Sequence, residues 1–441
     1  MLSMDDIPAA SPAAMATRPA GNRALLPALL AVMAVQQIDR NIINVVLEPL
    51  KREFGLSDAQ LGLLAGTIFA SSYVIAGLPI GRLADRVNRR NLLAALLVVW
   101  SLLTSLSAFC FSYAMLVLVR TGVGAAESGT QPTAMSMLSD VYPAERRATV
   151  AGLIYGSAMF GGFLSFAVGG YVAANYGWRN AFLVAGLPGL LLAAFMMIAV
   201  KEPVRTAATP AAAVNVQGSF LRDICSLLFH PILGPIYLAG TICVLVVSAV
   251  SAWAISLLVR YNGLSLAEAG VIVALATSLS GTCGPPLAGW LTDRAGRRSA
   301  GNVLRIPAIS AAACGLGAWG FAHSFAPALS IACLCLMGLT SLAHAGGSIS
   351  TISRFAPPQV RALGFALFSV AGSVLGLAIG PWLVGILSDA SADPQPLRSA
   401  MAMVAPVNLV AVGLFLLGAR RIDRRAPDLA PDPLMAIPTK R

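Results

Sequence analysis

The chain has 441 residues, of which 57% are hydrophobic and only 11% charged, and its mean hydropathy is +0.78. A soluble domain carries about 25% charged residues, so this chain cannot present a water-compatible surface all round and is expected in a bilayer. The net charge of +11 invites a nucleic-acid partner, but the Lys and Arg residues fall in short loops between apolar runs, which is the positive-inside pattern of a multi-pass protein and argues against one.

Residues 1–23 are Ala/Pro-rich and polar, with no basic start followed by an apolar run. They read as a disordered tail rather than a removable signal, and the first span then acts as its own insertion signal. Apolar runs punctuated by Gly, Pro and charge follow at 24–50, 58–84, 90–110, 114–139, 147–174 and 178–200. A loop at 201–231, holding the amphipathic stretch "SFLRDICSLLFHP", separates these from runs at 232–258, 266–292, 301–321, 326–353, 361–388 and 398–419. Each run is long enough for a helix needing about 20 residues to span, so an all-α membrane protein of twelve spans is predicted. Its parts are a tail (1–23), a six-helix bundle (24–200), a cytoplasmic linker (201–231), a second bundle (232–419) and a tail (420–441).

One side of these spans carries 23 Lys and Arg residues and the other only 5, with Arg40 and Arg120 left inside the membrane. Both termini are therefore expected in the cytoplasm, in a bacterial inner membrane. Seven cysteines are scattered and only three His exist; no spacing suits a metal, and none is expected. No phosphate-cradling glycine loop and no nucleophile constellation appears, so neither ATP-driven pumping nor an enzyme is indicated.

The halves repeat. "GLSDAQLG" at Gly55 answers "GLSLAEAG" at Gly263, and "GRLADRVNRR" at Gly81 answers "GWLTDRAGRR" at Gly289, both 208 residues apart; "PAERRA" at Pro143 answers "PPQVRA" at Pro357, 214 apart. Parallel six-span repeats place a substrate site near the midplane between halves. The Gly81–Arg90 loop with its second copy resembles the signature of the major facilitator superfamily, over about residues 24–420. Gly81 and Gly289 are expected where helices approach closely. The resemblance implies that Asp85 meets the N-terminal dipole of span eleven, and that Arg89 pairs with Asp140 at the end of span four. Gly81, Asp85, Arg86, Arg89, Asp140, Gly289, Asp293 and Arg294 would then form a cytoplasmic gate. Asn88 stands where the family has Gly and tolerates a left-handed turn. Arg354 replaces the second-half acid, so a looser gate is expected there.

Four ionisable residues lie at membrane depth, where a charge costs about 2.5–3.5 kcal/mol and marks function: Asp39 and Arg40 in span one, Arg120 and Glu127 in span four. Seven helical steps of about 100° put Arg120 and Glu127 on one stripe, while the neighbours Asp39 and Arg40 diverge and need partners on another helix. Span four offers one of each sign. His344 is the deep titratable group of the second half and reads as a packing residue. "RTGVGAAESG" from Arg120, "IDRNIINVVLEPLKREFGLSDAQLGLL" and "GWRNAFLVAGLPGLLLA" resemble spinster-type transporters. That resemblance implies proton-linked movement of amphiphilic lipids or other organic anions, by a chain functional as a monomer, with no cofactor beyond an ion gradient.

The expected mechanism assigns protons to Asp39 and Glu127 and an anionic group to Arg40 and Arg120, with Asn44, Tyr73, Gln131 and Tyr155 lining the cavity. Gln36, Asn41, Trp253, Thr277 and Asn408 are further polar span residues. The rival is a drug:proton antiporter. It is disfavoured because "GGFLSFAVGGY" in span five lacks the Gly-Pro of that subgroup, which occurs instead at Gly380-Pro381 in span eleven.

Overall fold

The computed structural model describes residues 22–204, 220–358 and 360–425, and among them every regular element is helical. Span one is Leu25–Phe54, span two Asp58–Arg86 and span three Arg89–Phe109. Span four is two helices, Tyr113–Glu127 and Thr130–Val141. Spans five and six are Ala144–Tyr176 and Trp178–Ala199. After a short helix at Phe220–Leu228 come Leu233–Tyr261, Leu266–Gly296, Asn302–His323, Pro327–Phe355, Leu363–Ala390 and Pro396–Arg424. Ten spans are apolar and long enough to cross a membrane among the described residues; the other two, one and four, are those that hold the four deep charges. Most of the first tail and of the linker lies outside the described residues, while the helix of span twelve continues to Arg425, past the expected start of the second tail.

Local sequence explains the boundaries. Gly55 and Gly263, the first residues of the repeated "GLS", both adopt a left-handed φ of +63° and +67°, a conformation without steric cost only for glycine. Ser57 and Ser265 then cap spans two and eight, each closing a capping box with Gln60 or Glu268. Two glycine and asparagine expectations fail. Asn88 is extended (φ −66°, ψ 117°), and its side chain accepts a bond from the Asn91 N–H. It is the N-cap of span three, not a left-handed turn, because a helix starts one residue later and its free N–H groups need an acceptor. Gly81 and Gly289 face open space, since an added Cβ would meet nothing within 4 Å.

That open space has a counterpart. The halves meet along two seams, spans two with eleven and spans five with eight. A Cβ on Gly62 would lie 2.5 Å from the Pro381 carbonyl oxygen and one on Gly66 2.6 Å from that of Leu377; Gly385 abuts Asp58, and Gly270 abuts Phe166. Thr67 Oγ1 donates across the first seam to the Ala378 carbonyl at 2.6 Å. All these contacts lie toward the ends of the spans away from the linker. Toward the linker, Gly152 and Gly156 of span five, like Gly81 and Gly289, touch nothing. The close contacts between the halves are thus concentrated on the far face, and these four glycines have none on the face that carries the linker.

Candidate transport site

Span four breaks at Ser128–Gly129, directly after Glu127. The break leaves carbonyls without helical partners, and Gln36 Nε2 of span one donates to that of Glu127 at 3.3 Å. Span ten breaks at Ser341–Ala343, just before His344, 214 residues from the break in span four. The repeat therefore extends to interrupted helices in both halves, and only the first-half break carries an acid.

Glu127 is fully buried and pairs with Arg40, with Oε2 3.3 Å from Nη2; the Arg40 side chain stays 28% exposed. The Arg40 guanidinium lies 4.9 Å from the Phe69 ring centre and 5.4 Å from that of Tyr73, which orients it while leaving its edge toward the opening. Arg120 also stacks on Phe69, at 4.6 Å, but it is buried. Its Nη1 and Nη2 donate to the main-chain carbonyls of Asp39 and Arg40 at 3.2 and 3.0 Å. The expected pairing of every deep charge is thus half realised. Arg40 meets Glu127, whereas Arg120 spends its donors on backbone. Asp39 is wholly buried beside the polar groups of Trp100 and Thr104, and neither of its oxygens meets a cation in an ion pair among the described residues. The reason is geometric: Asp39 points into the bundle toward span three while Arg40, one residue on, points to the cavity.

Of the expected lining residues, Tyr73 lies under Arg40, while Gln131 and Tyr155 are exposed and Asn44 is partly buried. Asn41 bonds back to the Gln37 carbonyl and Thr277 to that of Val273. Trp253 and Asn408 are buried and do not line the opening; Trp253 donates to the Pro381 carbonyl at 2.9 Å. His344 is buried, bonds through Nδ1 to the Ser341 carbonyl at 3.1 Å and packs against Phe368 and Phe415.

At the linker face Arg89 Nη1 lies 2.6 Å from Asp140 Oδ2, and its Nε lies 2.9 Å from Glu202 Oε1. Asp85, Arg86, Asp293 and Arg294 are exposed at the ends of spans two and eight. Arg354, where the first half has Asp140, lies 5.8 Å from the Phe355 ring centre, and a different acid ties the second half. Asp423 of span twelve accepts from Ser299 Oγ, the Gly301 N–H and Arg305 Nη2, each at 2.8 Å. Glu202, beyond span six, likewise accepts from the Arg90 N–H at 2.7 Å. An acid supplied by or beyond the sixth span of each half caps the third span of that half.

Two helical bundles that meet along two seams, with four charges at membrane depth, fit a membrane transporter of the two-repeat kind. The sequence pattern of the Major Facilitator Superfamily matches residues 29–377, with a second match over 237–439, and the chain belongs to that family. It is 29% identical over 404 residues to an MFS-type efflux pump of Mycolicibacterium smegmatis, covering 90% of this chain and 92% of that one. It is 26% identical to protein spinster homolog 1 of Xenopus laevis, over 90% of this chain and 80% of that one. Its fold matches a crystal structure of a bacterial homolog of the human lysosomal transporter spinster, inward-facing and unoccupied, with a TM-score of 0.80 at 23% identity, covering 93% and 98% of the two chains.

Proposed function

We propose that this chain is a proton-coupled transporter of organic anions or anionic amphiphiles, working by alternating access as a monomer. Its termini and linker lie in the cytoplasm and its open cavity is the inward-facing one. One observation carries the reading: Arg40, part-exposed, is paired to a buried Glu127, beside a second buried acid, Asp39, that is in no ion pair among the described residues. With both acids ionised, the four charges sum to zero. An anion that binds Arg40 displaces Glu127, and a proton on Glu127 then removes the stranded charge, whose burial would be costly. A proton on Asp39 breaks no ion pair and raises the net charge of the site by one. Proton and anion thus strengthen each other's binding, which favours their moving together. Asn44, Gln131 and Tyr155 would supply neutral contacts. The Arg89–Asp140 pair, with Asp85, Arg86, Gly81 and their second-half counterparts Gly289, Asp293 and Arg294, would close the cytoplasmic side in the opposite state.

The efflux-pump relative favours a second reading, a drug:proton antiporter, in which a cationic compound competes with Arg40 and with protons for Glu127. The two readings predict opposite signs. In proteoliposomes with an imposed pH gradient, a panel of organic anions, lysolipids and cationic drugs should show an anion accumulating on the side toward which protons flow. Asp39→Asn and Glu127→Gln should flatten the pH dependence. Counterflow of a cation supports the antiporter, and unchanged pH dependence in both variants sinks the coupling scheme.

A further inference from the structure

A second charged cluster lies at the closed, outer face and joins the two halves. Arg260, near the end of span seven, donates from Nε to Glu48 at 2.7 Å and from Nη1 and Nη2 to Asp58, each at 2.8 Å. Asp58 also accepts from Lys51 at 2.6 Å and from Ser388 Oγ at 2.7 Å. Next to it, Asp389 at the end of span eleven accepts from the N–H groups of Asp58 and Ala59, at 2.9 and 2.8 Å. Glu48, Lys51 and Asp58 belong to the first half; Arg260, Ser388 and Asp389 belong to the second. Every bond here except that from Lys51 crosses the interface that must part when the outer face opens.

We infer that these six residues are the outer latch of the transport cycle. The inference rests on the alternating-access reading and adds residues that the midplane site does not include. Asp389 is its defining element. Spans two and eleven run antiparallel, so the C-terminal end of span eleven lies over the N-terminus of span two. Its carboxylate satisfies two N–H groups that have no helical partner and sits at the positive end of the helix dipole. The latch holds because Glu48 and Asp58 are buried and Arg260 compensates both. It can release because parting the halves returns water to those charges and removes the cost of their desolvation. Loss of Arg260 strands the buried Glu48 and leaves Asp58 only Lys51 and Ser388, in the closed state only, which shifts the equilibrium toward the outward-open one.

Double electron–electron resonance tests this without any substrate, so failure of the cargo assignment leaves the test intact. Spin labels at Tyr176→Cys and Ala328→Cys, both exposed on the outer face in opposite halves, report outer opening once Cys225 and Cys283 are replaced by Ser. Asp389→Ala should raise the ratio of the longer to the shorter distance population several-fold. Arg260→Ala should raise it about tenfold or more, as expected for lost charge-assisted hydrogen bonds. Asp389 is exposed, so its variant tests the latch even where Arg260→Ala does not fold. An unchanged distance distribution in a monodisperse Asp389→Ala protein overturns the proposal.

Discussion

Arg40 and Arg120 lie against the same Phe69 ring, at 4.9 and 4.6 Å, yet they are tied to different things. Arg120 holds the main-chain carbonyls of Asp39 and Arg40 and so braces span one against span four; Arg40 holds a side chain, Glu127, which the proposed anion would replace. Substitution should separate the roles. Arg40→Ala should raise the KM for an anionic substrate by about tenfold or more, with little change in thermal stability. Arg120→Ala should instead cost about 1.5–3 kcal/mol of stability through its lost bonds. Substrate titrations of uptake and melting curves in detergent check the pair, and an equal effect of both on KM alone would contradict it. The presence of all four charges was legible in the sequence because charge at membrane depth stands out against an apolar background. Their pairing was not, because helical periodicity gives the face of a side chain but not whether its donors meet backbone or carboxylate.

Helix ends and interruptions decide how the elements can move. The repeated "GLS" turns were readable, since a left-handed glycine followed by Ser and Gln or Glu is a local signal that needs no tertiary context. The π-helical turns at Leu63–Thr67, Ala274–Leu279 and Gly372–Gly376 were not readable. They fall in spans two, eight and eleven, all seam helices, and such turns mark places where a helix bends or is under functional constraint. Gly81 was expected at a close approach and stands in the open, while Gly62, Gly66 and Gly385 form the packed seam. One static arrangement shows only one of two seams in use. Gly62→Ala forces a Cβ to 2.5 Å from the Pro381 carbonyl oxygen, an overpacking of about 1–3 kcal/mol in this state alone. It should slow transport about tenfold, since each 1.36 kcal/mol on the limiting step is tenfold, and populate the outward-open form. Gly81→Ala should leave the inward-open form undisturbed. Cysteine labelling from the cytoplasmic side at Tyr155→Cys distinguishes them: it should fall for Gly62→Ala and hold for Gly81→Ala.

Across the whole molecule the repeat governs both what could be read and what could not. Two six-span halves, twelve boundaries and the placement of the linker follow from hydropathy and from three aligned motifs, because each rests on contiguous residues. The acids that cap the third span of each half do not. Asp423 reaches Gly301 across 122 residues and Glu202 reaches Arg90 across 112, and no spacing rule connects such pairs. Their placement shows each half tying the start of its third span with an acid from or beyond its sixth, and the first half alone adds the Arg89–Asp140 pair. The two ties differ in depth: Glu202 also pairs with the buried Arg89, whereas Arg305 beside Asp423 is 46% exposed. Asp423→Ala should therefore cost about 1 kcal/mol, the worth of a lost helix cap. Glu202→Ala should cost about 1.5–3 kcal/mol, because a charged bond to a buried arginine is lost as well. Melting temperatures of the two variants, measured side by side in one detergent, should rank Glu202→Ala the lower. The reverse order would mean that the second bundle, which holds no acid at its midplane, depends more on its terminal helix than its exposed ion pair implies.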